Sequence, residues 1–529
     1  MGRKMITRLL PLFGFLFLTA YIRSATENVV YTDYIRLVNS YLENVRSFAP
    51  YMHGDILTRI PANYPERIVN VLLFRYSTTF DMMLGALGLA FSALIAGKYC
   101  EDRKLSAGTA AAVILFLFSL NKWEMLTNGS GWVHFAAFAL FWQHYLVYDR
   151  VMSRVMPLLK AGDPGAAERL AALRAEPGFR RSEGLLFVLP WITIPFFSGP
   201  YCGVYAVTLL IGDAFLFFFL PALGKERKKE GEAAVPSVLR DVQKSAALRM
   251  LCTLLPLCLY LVSRALSVEE RAGATTDSIG TVVSARPMLL PVFFVRSFSS
   301  MVIGQEAAEH LGIGKGVSVV LGLLVLGCYI FAFYLNFRRR IYEKTTFPLL
   351  LLTGGFLNHV LVTASRWIFL NDAYGMSSRY ALQYQIGIAG ILFTLAAAVR
   401  PDLCGRPEEA GTAAGAAPGK RAEKRAAALI TAVFLAGSLF TTGGEIHMAP
   451  YREEHFIAMR DTALHFEERS DEELKEILQY HDPARTRRAL TLLKERRLNV
   501  FAAPEAEAAG AETAAPAEQE AVPEAVPGT

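Results

Sequence analysis

Eleven apolar stretches separated by polar gaps constrain this chain more than any other feature of its sequence. Several of them approach the ~20 residues that a helix needs to cross a ~30 Å hydrocarbon layer. The sequence therefore predicts an all-α, polytopic bundle of transmembrane helices. The predicted spans are residues 5–22, 77–97, 105–121, 131–148, 184–198, 203–222, 248–265, 317–335, 346–364, 380–399 and 426–442.

The arginine and lysine residues fall largely in every second gap between these spans. By the positive-inside rule, the basic gaps face the cytoplasm. A basic cytoplasmic N-terminus and an odd number of spans then place the C-terminus outside. The segments predicted to lie outside are residues 23–76, 122–130, 266–316, 365–379 and 443–529.

The composition argues against a soluble protein and against a nucleic-acid partner. Hydrophobic residues make up 53% of the 529 residues, more than a water-soluble domain of this size could readily bury. The net charge of +6 is explained by topology and by contact with an anionic inner leaflet. We therefore expect membrane lipid, and no nucleic acid, among the partners.

The predicted outer segments differ in pattern. Apolar residues at helical spacing in the first outer loop, over residues 31–45, predict an amphipathic helix on the membrane surface. The apolar, interrupted half of the second long segment predicts a re-entrant or interfacial hairpin beside a cavity. The predicted divisions are a transmembrane helical domain 1–442 with outer loop 23–76 and outer hairpin 266–316, a small helical extracytoplasmic segment 443–501 and a disordered tail 502–529.

Two acidic and basic pairs in the first outer loop could serve a transfer reaction. Asp33 and Arg36 share a face of the predicted helix, and Asp55 and Arg59 are four residues apart. A carboxylate at the mouth of an outward cavity can take a proton from an acceptor hydroxyl, and a guanidinium can bind a lipid phosphate. Alternatively, each pair is an ordinary surface ion pair within a helix, which contributes little to stability.

An aromatic and acidic pair, Trp123 and Glu124, follows the third predicted span at the outer interface. A sugar-binding rim offers the same groups, because a ring face stacks on C–H groups and a carboxylate binds hydroxyls. The alternative is that the tryptophans of this segment, Trp132 above all, anchor the chain at the level of the lipid headgroups.

Arginines near the predicted outer ends of later spans run against the positive-inside bias. Arg366 and Arg379 bracket an outer gap that also holds Asp372, and Tyr380 opens the following span. Arg296 lies in the apolar half of the outer hairpin. A phosphate or pyrophosphate headgroup would explain these arginines. Snorkelling, or pairing of Arg379 with Asp372, is the competing explanation.

Acidic residues inside the predicted spans are costly in lipid and are often functional. Asp81 and Asp213 could form a proton path, which would favour a transporter. Alternatively, they pair with donors on neighbouring helices and fix the packing of the bundle.

Four features occur together: a long first outer loop that opens with an acidic residue, a Trp-Glu pair, a Ser-Arg-Tyr segment and a basic terminal helix. In this layout the chain resembles the integral membrane glycosyltransferases of the GT-C superfamily and, more narrowly, bacterial membrane proteins of cell-surface polysaccharide synthesis. The residues that carry the resemblance are Asp33, Trp123, Glu124, Ser378, Arg379, Tyr380 and the terminal LLKERRLNVF.

The resemblance implies a polyprenyl-phosphate-linked sugar donor, a glycan acceptor and transfer on the outer face of the bacterial cytoplasmic membrane. It implies that Asp33 is the catalytic base. In the mechanism that we expect, Asp33 deprotonates the acceptor hydroxyl while Arg379, with Arg296 as a further candidate, stabilises the departing lipid phosphate. Many of these enzymes have a doubled acidic motif in the first outer loop, whereas Asp33 stands alone in YTDYIRL. The identity of the base, and whether a divalent cation takes part, are therefore left open.

Two other classes of function fit the same sequence. The first is a transporter or flippase of a lipid-linked glycan, in which Asp81 and Asp213 would carry the activity. The second is a non-enzymatic scaffold of an envelope assembly that acts through residues 443–501.

Overall fold

The structure, a computed structural model, describes residues 2–49, 60–160, 165–219, 236–266, 273–405 and 418–502. Within these ranges the chain is helical and forms no strand, which confirms the predicted all-α class for this part of the chain. Asp55 and Arg59, and all but the first residue of the predicted disordered tail, lie outside the described residues.

Helices occur in the described part of each of the eleven apolar stretches that the sequence predicts as spans. The α-helices of the described residues are α1 (Gly2–Ala25), α2 (Asp33–Tyr41), α3 (Asn63–Phe74), α4 (Thr78–Asp102), α5 (Ala107–Leu117), α6 (Trp123–Thr127), α7 (Trp132–Lys160), α8 (Ala166–Ala175), α9 (Pro177–Phe196), α10 (Cys202–Ala214), α11 (Pro236–Ala265), α12 (Ile279–Ala285), α13 (Leu289–Ser299), α14 (Gln305–His310), α15 (Lys315–Arg338), α16 (Phe347–Arg366), α17 (Ala381–Ala398), α18 (Pro418–Leu464), α19 (Asp471–Ile477) and α20 (Pro483–Glu495).

Nine helical stretches of the described chain are long and apolar enough to cross a membrane, or ten if the bent pair α12 and α13 forms one span. They indicate a membrane protein. The predicted spans 131–148 and 184–198, which coincide with α7 and α9, are not among the nine. Polar residues explain the difference, since α7 contains His144 and Asp149 and α9 begins with a run of charged residues. The number of spans and their orientation stay predictions.

Contacts between distant segments sort the helix ends into two sets. At one end, Asp149 pairs with Arg103 and accepts hydrogen bonds from Thr345 Oγ1 (2.8 Å) and the Thr346 amide (2.6 Å). At the other end, Glu124 pairs with Arg379. We term these the Asp149 end and the Glu124 end. The first collects gaps that the sequence predicts to be cytoplasmic, and the second collects gaps predicted to be outside.

The segment predicted to be the first outer loop and the segment predicted to be C-terminal and outside share an apolar core at the Glu124 end. Residues 29–45 pack against residues 456–501, and we term this combination the outer unit. Its two parts are also joined through the backbone, since the Thr32 amide donates to the Leu478 carbonyl at 2.9 Å. The apolar face of α2, which the sequence places on lipid, is buried in this core instead.

The last helix of the bundle is longer than the sequence indicates. Helix α18 has 47 residues and measures about 70 Å at 1.5 Å per residue, whereas the predicted last span ends at residue 442. Its final turns belong to the outer unit, because Phe456 and Met459 are buried in that core. Helix α18 therefore connects the helix bundle directly to the outer unit.

Candidate functional site

A cavity of about 280 Å³ lies at the Glu124 end, between α6, α18 and the segment that leads into α2. Its wall combines aromatic, acidic, basic and amide side chains from parts of the chain that are far apart in sequence. The lining residues are Tyr31, Trp123, Glu124, Thr127, Asn128, Arg379, Met448, Tyr451, Arg452, His455, Phe456, Met459 and Gln479.

Glu124 and Arg379 form an ion pair in the wall of this cavity. Arg379 donates from Nε to Glu124 Oε1, and the hydroxyls of Ser378 and Ser377 lie 3.1 and 3.3 Å from Oε2. Both side chains remain partly exposed, Glu124 at 25% and Arg379 at 41%. The carboxylate is thus held by three donors while the arginine stays accessible from the cavity.

The structure does not form the alternative predicted ion pair between Arg379 and Asp372. The Asp372 carboxylate instead accepts hydrogen bonds from Arg296 and Lys315. Burial alone would raise the pKa of Asp372, but these two hydrogen bonds lower it below the usual value. Arg296 also donates to Ser318 Oγ at 2.9 Å. Arg296 and Asp372 therefore form a cluster with α15 and do not line the cavity.

Trp123 presents one ring face to an arginine. The Arg452 guanidinium lies 3.1 Å from the centroid of the indole, which is a cation–π contact. Arg452 is itself held by Glu445, whose Oε2 accepts from Nε at 3.0 Å and from Nη2 at 2.6 Å. That face of Trp123 is covered, and a sugar could stack on it only after Arg452 moves.

A second carboxylate, Glu306, lies next to the ion pair. Ser378 Oγ is 3.4 Å from Glu306 Oε1, so this hydroxyl lies between Glu306 and Glu124. Burial raises the pKa of Glu306 above its usual value, and the negative charge of Glu124 adds to the rise. A second carboxyl group, with a raised pKa, therefore lies beside the ion pair.

Asp33, the predicted catalytic base, begins α2 and is not among the residues that line the cavity. Its Oδ1 accepts from Arg36 Nη2 at 2.8 Å, within one turn of the helix. Tyr31, two residues earlier, does line the cavity. Burial raises the pKa of Tyr31, Arg379 opposes the rise, and Glu124 and Asp33 add to it. The charge of Asp33 thus acts on the same side chain as the charges of the ion pair.

Arg366 and Tyr380 lie together but apart from the cavity lining. The Arg366 guanidinium is 5.9 Å from the ring centroid of Tyr380 and 6.0 Å from that of Phe369. Tyr380 is buried. The predicted site residues therefore divide into three groups: those in the cavity wall (Trp123, Glu124, Arg379), those near it (Asp33, Arg36) and those in separate contacts (Arg296, Arg366, Asp372, Tyr380).

The two acidic residues that could have formed a proton path each pair with a buried arginine. Asp81 binds Arg67 and accepts from Tyr34 Oη at 2.8 Å. Asp213 accepts from Arg249 Nε at 2.8 Å. Removal of one partner from such a buried pair is strongly destabilising. These contacts favour the alternative in which the two acids fix the packing. A tyrosine hydroxyl also donates to each acid, Tyr34 to Asp81 and Tyr148 to Asp213, the latter at 3.1 Å.

The described residues contain no group of three or more His, Cys, Asp or Glu side chains placed to hold a metal ion. Comparison with protein-family models, with curated proteins and with solved structures found no match to this chain.

Several lining or supporting residues were not predicted from the sequence, among them Tyr31, Glu445 and Arg452. The spacing of Glu445 and Arg452 could have predicted their contact, because positions seven apart share one face of a helix. Because the predicted last span ends at residue 442, both positions fall in the separate segment predicted for residues 443–501.

Proposed function

We propose that this chain is an integral membrane glycosyltransferase that uses a polyprenyl-phosphate-linked sugar donor on the outer face of the bacterial cytoplasmic membrane, in cell-surface glycan synthesis. The observation that supports the proposal is the cavity at the Glu124 end. It combines an accessible guanidinium with aromatic and carboxylate groups at a helix end, where the phosphate of a membrane-embedded carrier would meet a polar acceptor.

Arg379 is suited to the phosphate of the donor. Within the described part of the chain it hydrogen-bonds to Glu124 through Nε alone, and its two terminal nitrogens can donate to phosphate oxygens. In the proposed reaction the bond between the anomeric carbon and the phosphate oxygen breaks, and the negative charge develops on the lipid phosphate. A guanidinium fixed by Glu124 stabilises that charge with little reorganisation.

Asp33 is the candidate base. Glu124 already accepts from Arg379 and from two serine hydroxyls, so it suits positioning better than proton transfer. Asp33 is 34% exposed and accepts a hydrogen bond from Arg36 at one of its oxygens. In the proposed step, Asp33 takes the proton of the acceptor hydroxyl as the hydroxyl oxygen attacks the anomeric carbon.

The test measures release of polyprenyl phosphate by the full chain in liposomes, with a panel of polyprenyl-phosphate-linked sugars and a membrane glycan acceptor. We expect Asp33→Asn to lower turnover by ~100-fold or more, the range typical of a lost general base. Arg379→Gln should lower turnover as well. Asp461→Asn is the matched control, because Asp461 is a partly exposed, arginine-paired acid in α18 that does not line the cavity.

Full turnover by Asp33→Asn would contradict the assignment of the base. Parental transfer by both Asp33→Asn and Arg379→Gln would contradict the use of this cavity altogether. If neither variant matters and folded Asp81→Asn instead stops movement of a labelled glycolipid between leaflets, the function is transport.

A further inference from the structure

Helix α3 turns its polar side chains toward the protein and its apolar side chains outward. Its polar residues are buried, with Arg67 fully so, whereas its large apolar residues are exposed, Leu73 by 73%. A helix that packs on a water-soluble domain shows the opposite pattern. The buried polar residues are Asn63, Glu66, Arg67 and Asn70, and the exposed apolar residues are Val69, Leu72, Leu73 and Phe74.

The buried polar face of α3 forms ion pairs and hydrogen bonds with neighbouring parts of the chain. Arg67 pairs with Asp81 at the start of α4 and lies 3.1 Å from the second carboxylate, Glu66. Asn70 donates to Asp81 Oδ1 at 2.7 Å and to the Ser77 carbonyl at 3.1 Å. These contacts fix α3 to the first turn of α4.

A further side of α3 packs against protein. Tyr64, Ile68 and Val71 contact the apolar core of the outer unit. With one side on this core and another on the polar cluster, α3 cannot rotate to bury Leu72 or Leu73. The exposed apolar face is thus a fixed feature of the fold.

This apolar face continues into the membrane-facing surface of α4. Helix α3 ends at Phe74, and α4 begins four residues later. The Phe74 ring stacks on the Phe80 ring, with centroids 4.1 Å apart and planes 15° from parallel. Further along α4, Leu87 and Phe91 are exposed in a stretch long and apolar enough to span a membrane.

We propose that α3 is an interfacial helix whose face of Val69, Leu72, Leu73 and Phe74 contacts the acyl chains of the bilayer leaflet at the Glu124 end. The occupant of this face is lipid because the face joins the lipid-exposed surface of α4 without a break. Tyr34 of α2 donates to the same Asp81 that holds Arg67. The membrane contact therefore sets the depth of α2 and of Asp33, and this inference does not depend on the proposed reaction.

The test places a nitroxide at Leu73→Cys in the full chain, with the six native cysteines replaced, and reconstitutes it in nanodiscs. The measurement compares relaxation of the spin label by oxygen, which concentrates in the bilayer, with relaxation by a water-soluble nickel chelate. We expect the label at 73 to favour oxygen, as a label at Leu87 in α4 does. A label at Glu472, an exposed position of the outer unit, is the aqueous control.

Greater relaxation by nickel at position 73 would overturn the proposal, since the face would then be in water. A label that neither agent reaches would overturn it too, because protein would cover the face. If the cysteine-free chain does not fold, Leu73→Trp in the parental chain gives a second measurement. Phospholipids brominated near the headgroup should then quench additional fluorescence relative to the five native tryptophans, and unchanged quenching would contradict the proposal.

Discussion

Glu124 and Arg379, 255 residues apart in the sequence, form an ion pair in the wall of one cavity. The pair joins the end of the third apolar stretch to the start of the tenth. It therefore fixes the distance between α6 and α17 at the position where we propose that substrate binds. Its accessibility to the cavity distinguishes it from the ion pairs buried within the bundle.

Breaking the Glu124–Arg379 pair should have a modest effect on stability. Both side chains are partly exposed, so we expect a coupling free energy of about 1 kcal/mol or less. A double-mutant cycle with Glu124→Gln and Arg379→Gln, measured by unfolding in one detergent, gives this value. Glu43 and Arg488, a more exposed pair on the outer unit, provide the matched cycle, which should give less. A coupling of several kcal/mol would show that the pair is a structural element of the fold.

Breaking the Arg67–Asp81 pair should be far more damaging. Arg67→Met leaves Asp81 and Glu66 buried without their cation, and removal of one partner from a buried pair typically costs ~3–5 kcal/mol. We expect a loss of this size in the unfolding free energy of the full chain. Arg488→Met, at an exposed pair, should change it by less than ~1 kcal/mol. Equal effects of the two substitutions would contradict the buried role of Arg67.

The Glu306 carboxyl should make stability depend on pH. Its pKa is raised by burial and by Glu124, so between the ordinary value of 4.5 and the raised pKa the folded chain binds more protons than the unfolded chain. Stability from this group therefore falls as pH rises through that window. We expect Glu306→Gln to gain stability relative to the parental chain over the same window.

Asp372→Asn is the control for that experiment, because the pKa of Asp372 is shifted in the opposite direction to that of Glu306. The pKa of Asp372 is lowered, so its contribution is present above its ordinary value of 3.8 and is lost as pH falls through the lowered pKa. The measurement is the unfolding free energy of each variant minus that of the parental chain, from pH 4.5 upward. This difference should rise with pH for Glu306→Gln and stay constant for Asp372→Asn. If this difference does not change with pH for either variant, the expected pH dependence from Glu306 is contradicted.

The crossing of α16 and α17 should not tolerate a methyl group. A Cβ on Gly355 would lie 2.1 Å from the Cα of Gly387, and this contact is with backbone that cannot rotate away. We expect Gly355→Ala to lower the unfolding free energy by ~1–3 kcal/mol or more, as overpacked cores do. Gly327→Ala in α15 is the matched control, because a Cβ there meets nothing within 4 Å and alanine favours a helix. A stabilised Gly355→Ala would contradict the close crossing.

The membrane helices and their grouping by end could be predicted from sequence, because hydropathy and charge are properties of the local chain. Glu124 and Arg379 were each assigned to the outer side from the parity of the spans, and the structure does place both at one end. Their pairing could not be predicted. It depends on how α6 and the turn before α17 meet in three dimensions, and neither segment contains information about the other.

Apolar residues do not mark the protein interior in every helix of this chain. Apolar spacing in α2 was assigned to lipid contact although that face lies in a protein core, while α3, with Leu72 and Leu73 exposed, was assigned no such role. Periodicity identifies an apolar face but cannot say whether lipid or protein covers it. The continuation of α18 was missed for a related reason, since its later turns are polar on one side and apolar on the other.

The contact between Arg452 and Trp123 gives the cavity an intrinsic optical reporter. A cation held 3.1 Å from an indole shifts the excited state of that ring, so Trp123 should differ spectrally from the other four tryptophans. A ligand that draws Arg452 off the ring would change the emission of Trp123. Binding to this chain can therefore be titrated by fluorescence before any reaction product is known.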